Sequence, residues 1–369
     1  MAETHARRRE HVRDALASAG VDAALITSLV NVRYLTGLAS SNAALLVPAQ
    51  GPAVLATDSR YALAAERDCP DLALVTIRVV EPALAEFAAE QGVRRLGFEA
   101  QVMTVELHAA LARAGAPGLV PLGHLVEGLR VTKDDGELAL VGRACAITAA
   151  AFDQVVTGIR AGMTERELAV AVERAMVDAG AEKPAFDTIV ASGPNGAIPH
   201  HAPGGRRFEP GDLITIDCGA RYAGYHADMT RTVALGQPAA WQREIYALVA
   251  AAQQAGIEAA VPAAAAADVD AAARAVIEAA GHGEHFTHGL GHGVGLEVHE
   301  EPMLGKAKPG TLGDRVPLTV EPGVYLPGKG GVRIEDTLVV RSGAGLAATR
   351  DLLTVTQTVP PGELLVLEP

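Results

Sequence analysis

The chain has 369 residues, 49% of them hydrophobic, enough for two ordinary globular cores. Its 44 acidic and 31 basic residues give a formal net charge of −13, which argues against nucleic acid or an anionic membrane as the main partner, since both favour a basic surface. The three cysteines, Cys69, Cys145 and Cys218, match neither a disulfide framework nor a zinc ribbon, the charged start MAETHARRREHVRD lacks a signal-type apolar stretch, and no run of about 18 apolar residues occurs, so a cytoplasmic soluble protein is expected.

In chain order, residues 6–19 read as a helix and 22–27 as a strand. Residues 44–57 read as a hairpin turning at Gln50-Gly51, and 72–80 and 94–100 as further strands with helices between them. This alternation predicts a small α/β domain over residues 1–130, closed by the charged stretch LRVTKDDGEL. A second domain, 131–369, opens on a helical pattern over 135–159. Thr164 and Glu167 then form a capping box for the next helix, which Gly180 is placed to stop. Strands near 187–192 and 212–218, helices near 239–258 and 266–280, and a strand-rich stretch from 285 to 357 complete the pattern.

Two segments of this second domain share one form: LITIDCG (213–219) and PLTVEPG (317–323) both read apolar, Thr, β-branched, acid, any residue, Gly. The repetition implies two related halves. A hairpin centred between Tyr222 and Ala223 would make Asp217 and Asp228 cross-strand partners, and one centred on Gly328 would do the same for Glu321 and Glu335. Opposed carboxylates destabilise a sheet and raise each other's pKa unless a cation lies between them. The apolar neighbours Ile214, Ile216, Val320 and Ile334 turn these acids inward, where a charge has to be paired or metal-bound. Between the two acid pairs lies THGLGHGVGLEVHE, with His288, His292 and His299 among glycines that let backbone come close to a ligand. Four carboxylates and an imidazole suit two hard divalent ions, manganese first and cobalt or zinc as alternatives, in a hydrolase. The H-E-x-x-H, P-loop and G-x-S-x-G patterns are absent.

GHGVGLEVHEEP, TVEPGVY and VRIED, following the Asp-x₁₀-Asp segment, closely resemble the metallopeptidases that include aminopeptidase P, prolidase and methionine aminopeptidase. The resemblance covers about residues 131–357 and implies the α+β pita-bread catalytic fold with pseudo-twofold halves. The N-terminal α/β domain is similar to that of aminopeptidase P, prolidase and creatinase. The resemblance implies that Asp217 holds one metal, that His292 and Glu321 hold the other, and that Asp228 and Glu335 bridge them. It further implies His200 and His299 as catalytic histidines, Glu321 as the group that handles the proton of the attacking water, and His288, Tyr325 and Arg333 as substrate-side residues. Glu300 is expected either to orient a histidine or to be solvated, and His201 and His226 match no family position.

The implied activity is hydrolysis of the bond between an N-terminal residue and a following proline, in an enzyme of the kind that forms homodimers. Some prolidases carry arginine where this chain has Met303, which favours an Xaa-Pro aminopeptidase over an Xaa-Pro dipeptidase unless another base such as Arg315 substitutes. A metal-free creatinase-like hydrolase and a non-enzymatic binding module are disfavoured because all five ligand positions are filled.

Overall fold

The computed structural model describes residues 2–342, 349–359 and 362–369. It divides into two compact units, Met1–Arg130 and Val131–Pro369. In the first, strands β1 (Ala23–Ile26), β2 (Ala43–Pro48), β3 (Val54–Thr57), β4 (Ala73–Thr76), β5 (Arg95–Phe98) and β6 (Gly118–Pro121) form one sheet in the order β4-β3-β2-β1-β5-β6. The β2–β3 hairpin pairs Leu46 with Val54 and turns through Gly51, whose φ of 92° suits glycine. Helix α1 (Ala2–Ala19) precedes the sheet, and α2 (Leu29–Thr36), α3 (Ala62–Asp68), α4 (Val80–Glu90), α5 (Val105–Arg113) and α6 (Leu125–Arg130) connect or follow its strands. The strand expected over 72–80 stops at Thr76. It lies at the sheet edge, and by Val80 the chain has begun α4, with Glu81 favourably placed in its first turn.

The second unit opens with α7 (Asp135–Val156) and α8 (Glu165–Asp178). Both start in complete capping boxes, Asp134 with Glu137 and Thr164 with Glu167. By length and composition α7 could cross a membrane, but half of its most apolar window is buried inside the protein. The strands that follow are β7 (Lys183–Pro184), β8 (Ile189–Ser192), β9 (Leu213–Cys218), β10 (Ala220–Tyr222), β11 (Tyr225–His226) and β12 (Met229–Leu235). Side chains of α7 and α8, among them Phe152, Leu168, Val172 and Met176, share a core with Ile214, Ile216 and Val233 of β9 and β12. Burial of each large apolar side chain there contributes roughly 1.5–3 kcal/mol.

Helices α9 (Ala240–Ala259) and α10 (Ala266–Ala279) begin the second half. Its strands are β13 (Gly291–Gly293), β14 (Glu300–Leu304), β15 (Val316–Val320), β16 (Gly323–Leu326), β17 (Gly330–Arg333), β18 (Asp336–Arg341) and β19 (Thr349–Leu352), with β20 (Val366–Leu367) returning to pair with β12. Residues 343–348 of the expected strand-rich stretch lie outside the described residues. Val249, Val269 and Ile277 of the helix pair share a second core with Leu318, Val320 and Leu338. Each half is therefore a helix pair on a sheet, β20-β12-β9-β8 in one and β14-β13-β15-β18-β19 in the other. The related segments occupy matching places, the hairpin strands β9 and β15, which positions four acids at the ends of two strand pairs.

Candidate active site

The second hairpin has the expected register. Val320 pairs with Asp336 on one side and Gly323 with Arg333 on the other, which sets Glu321 against Glu335. The first hairpin is shifted by one residue from expectation. Its turn falls at Ala223-Gly224, both at positive φ (47° and 83°), so Asp217 pairs with Thr230 rather than Asp228. Asp228 lies two residues from Thr230 and so shares its face of the strand. The aspartates are diagonal neighbours, close enough to share a site without direct opposition.

Asp228, His292 and Glu335 each offer a ligand atom within 4.8 Å of the others, and all three are buried. His292 Nε2 lies 3.3 Å from Glu321 Oε1 and 3.6 Å from Asp228 Oδ2. Its Nδ1 donates to the Gly293 carbonyl at 3.0 Å, which fixes the tautomer with Nε2 facing the acids. Thr230 donates to Glu335 Oε2 at 2.6 Å, and Arg333 donates to Asp217 Oδ2 at 2.7 Å. The remaining oxygens, Asp217 Oδ1 and Glu335 Oε1, are buried without a hydrogen-bond partner. An orphaned buried carboxylate oxygen is costly, and two of them in an acid cluster where Asp228 and Glu335 converge with an imidazole nitrogen fit divalent metal.

The electrostatics agree. Burial raises the Asp228 carboxyl well above its usual range, and the charges of Glu335, Asp217 and Glu321 push it further. Burial, then Glu321 and Asp217, does the same to Glu335. Asp217 is raised by burial despite Arg333. Burial pushes Glu321 up as well, but the hydrogen bond and charge of His292 bring it below the usual range. His292 is the converse: burial lowers it, and Glu321 more than restores it.

A cavity of about 1050 Å³ opens onto these groups, and His200, His288, His299 and Met303 line it. His200 and His299 are exposed to it, and the His299 ring stands edge-on to His292 with centroids 4.3 Å apart. Burial, with His292 beside it, lowers the His299 pKa, which favours a neutral ring. His288 Nδ1 donates to the Gly289 carbonyl at 2.8 Å, and its Nε2 accepts from Tyr325 Oη at 2.8 Å. Arg333, expected on the substrate side, lines the cavity and is also bonded to the protein. It donates to Thr230 (3.1 Å), the Pro199 carbonyl (3.2 Å), Tyr325 Oη (3.0 Å) and Asp217, and so orients two other site residues. Arg315 does not line the cavity: it donates to the Lys133 carbonyl at 2.8 Å and pairs with Asp135 at 2.6 Å.

The family can now be read from comparison with known proteins. Residues 139–342 match the metallopeptidase family M24 model, and residues 8–132 match the creatinase/prolidase N-terminal domain. The chain belongs to metallopeptidase family M24. This M24 chain is 35% identical over 331 residues to the Xaa-Pro dipeptidase of Pyrococcus horikoshii, covering 89% of this chain and 93% of that protein. A solved Xaa-Pro dipeptidase from Bacillus anthracis superposes with a TM-score of 0.92 at 35% identity, covering 98% of this chain and 100% of the other. A solved X-Pro aminopeptidase from Thermotoga maritima gives 0.87 at 33% identity, covering 97% and 99%. This M24 member is thus a metal-dependent peptidase with the pita-bread catalytic fold behind a creatinase-type N-terminal domain.

Several residues that support the M24 site carry no motif of their own. Glu165, fully buried, accepts from Ser192 N and Oγ, Asn195 Nδ2, His201 Nε2 and Gly204 N, at 2.8–3.1 Å, and so ties down the loop that bears His200. Lys133, 1% exposed, pairs with Glu300 at 2.9 Å, while Glu300 Oε1 accepts from Glu297 N, which anchors the segment beside His299. His226 donates its Nδ1 to the Gly295 carbonyl at 3.0 Å in the same segment. Arg274, bound to Asp270, donates to the carbonyls of Phe286 and His288 and holds the segment that bears His288 in place.

Proposed function

We propose that this peptidase is an Xaa-Pro exopeptidase, hydrolysing the bond between an N-terminal residue and a following proline, and that it favours peptides longer than a dipeptide. The observation that carries the reading is the buried acid cluster with two orphaned oxygens, opening on a cavity that His200, His288 and His299 line. Asp217, Asp228, His292, Glu321 and Glu335 would hold two divalent ions, manganese in our reading. When bound, these ions supply Lewis acidity that activates water near neutral pH.

The chain's own residues do the rest. Glu321, held deprotonated by His292, takes a proton from the attacking water and delivers it to the leaving nitrogen. Neutral His299 donates to the oxygen on which charge develops. His200, on the loop braced by Glu165, orients the peptide, and His288, held from behind by the Tyr325 hydroxyl, forms the wall on the proline side. Asp217 lies where a free amine would be favoured. A cytoplasmic location is proposed from the sequence, with three free, buried cysteines in its support, and the homodimer is proposed from the family resemblance.

Chelation should abolish activity on Xaa-Pro peptides, and added Mn²⁺ or Co²⁺ should restore it. Undiminished turnover by protein shown by elemental analysis to be metal-free would overturn the reading.

The preference for length rests on Met303, which pairs with His292 across β13 and β14 and offers apolar contact beside the centre. A dipeptide would bring its carboxylate directly after proline, and burying that charge against a thioether is costly. Met303→Arg is expected to raise kcat/KM for an Xaa-Pro dipeptide by about tenfold, as for a charge-assisted hydrogen bond, and to leave longer peptides nearly unchanged. A native enzyme that already prefers dipeptides makes the second reading, an Xaa-Pro dipeptidase, the right one. The dipeptidase names of the Pyrococcus and Bacillus proteins favour that second reading.

A further inference from the structure

Among the described residues, five cations line the cavity, and three of them are already paired. Arg274 is bound to Asp270, Arg333 to Asp217, and Lys306 to Glu278 at 3.6 Å. Two lining cations, Lys308 and Arg166, have no carboxylate partner among the described residues.

Lys308 has the more definite position. After Met303, β14 ends at Leu304, and a turn closed by Lys308 N donating to the Gly305 carbonyl at 3.1 Å brings Lys308 back. Its stem lies along Gly305: a Cβ there would be 3.3 Å from Lys308 Cγ and 4.0 Å from Cε. The same Cβ position is 3.7 Å from Gly289 Cα, the residue after His288. The lysine stem therefore runs beside the segment that follows His288. Met303 to Gly305 spans at most about 7 Å of chain at ~3.3 Å per residue. An extended substrate advances ~3.3–3.6 Å per residue, and Lys308 lines the same cavity as Met303, so its stem has the spacing to serve a residue beyond the one that meets Met303.

We infer that Lys308 receives the C-terminal carboxylate of a short substrate that ends just past proline, so that the preferred substrates are tripeptides with a free C-terminus. The inference rests on the Xaa-Pro reading above. The cavity is then polarised along its length: acids at one end take the peptide amine, the apolar Met303 faces the middle, and a cation at the far end takes the carboxylate. Arg166, on α8 where Glu173 also lines the wall, is the competing cation and serves as the control.

The test compares Xaa-Pro-Xaa tripeptides with a free C-terminus against the same peptides amidated, using metal-loaded native enzyme, Lys308→Ala, Lys308→Glu and Arg166→Ala. The native enzyme should favour the free acid about three- to fivefold in kcat/KM, through KM, as for a solvent-screened ion pair, and added salt should reduce that preference. Lys308→Ala should abolish the preference and Lys308→Glu invert it, while Arg166→Ala leaves it intact and turnover of the amide stays unchanged throughout. Lys308 is exposed, so these variants should fold. Cleavage of both peptides with no preference in the native enzyme, or a preference that survives Lys308→Ala or vanishes in Arg166→Ala, overturns the inference and leaves the Xaa-Pro reading intact. Failure of the native enzyme to cleave any Xaa-Pro bond removes both.

Discussion

Replacing Glu335 or Asp228 by alanine is expected to empty the site of metal and abolish turnover, and replacing Glu335 by glutamine is expected to do so while stabilising the metal-free protein. Both carboxyls are buried, both converge with His292 within 4.8 Å, and Glu335 keeps an orphaned oxygen. Their pKa values lie above the usual range, first through burial and then through neighbouring acids, so the folded state binds these protons more tightly than the unfolded chain does. Their contribution to the stability of the metal-free protein is complete below the unfolded pKa of about 4 and is lost as pH rises through the raised folded values. At neutral pH the metal-free fold therefore carries a penalty that bound cations remove. Glu335→Gln removes it chemically and can still accept from Thr230, which now donates at 2.6 Å. Calorimetry in chelator at pH 7 should give a higher melting temperature for the glutamine variant, with a shift of roughly 2–4 °C per kcal/mol gained, alongside elemental analysis showing lost metal. A glutamine variant that retains both metals, or melts below the native metal-free protein, would contradict this account of the cluster.

The two hairpins show where the sequence was sufficient and where it was not. PGKGG announces its own turn, since Gly328 and Gly330 take φ of 77° and 142°, and Glu321 faces Glu335 as the register requires. In the first hairpin the centre was expected one residue early, between Tyr222 and Ala223, although Gly224 supplies the positive φ that such a turn demands. The glycine was the legible signal, and it moves Asp217 opposite Thr230. Arg333 was legible as a substrate-side residue, but its four acceptors come from separate segments of the chain, which no local pattern encodes. Glu165 and Lys133 were hidden for related reasons. Glu165 stands in the first turn of α8, where an acid already has a helix-terminal explanation. Lys133 sits in a charged stretch of the kind usually left in solvent, yet it is among the most buried side chains because Glu300 is 167 residues away in sequence and 2.9 Å away in space.

His299→Ala is expected to keep its metal and lose turnover by about 10²-fold or more, the effect of removing a donor to a developing oxyanion. The His299 ring packs edge-on against His292 and is exposed to the cavity. Burial and the neighbouring His292 lower its pKa, so near neutral pH the ring is uncharged and donates through one N–H without adding a fixed positive charge beside the metals. That donor interacts more strongly with a negative oxygen than with a ground-state carbonyl, so its loss should fall on kcat and leave KM nearly unchanged. His299→Gln, which retains an N–H of similar reach, should recover part of the rate, whereas a residue needed only to pack against His292 would be rescued by leucine as well as by glutamine. Elemental analysis decides the assignment. If His299→Ala loses as much metal as Glu335→Ala, then His299 helps to hold the ions, and its place beside the substrate has to be given up.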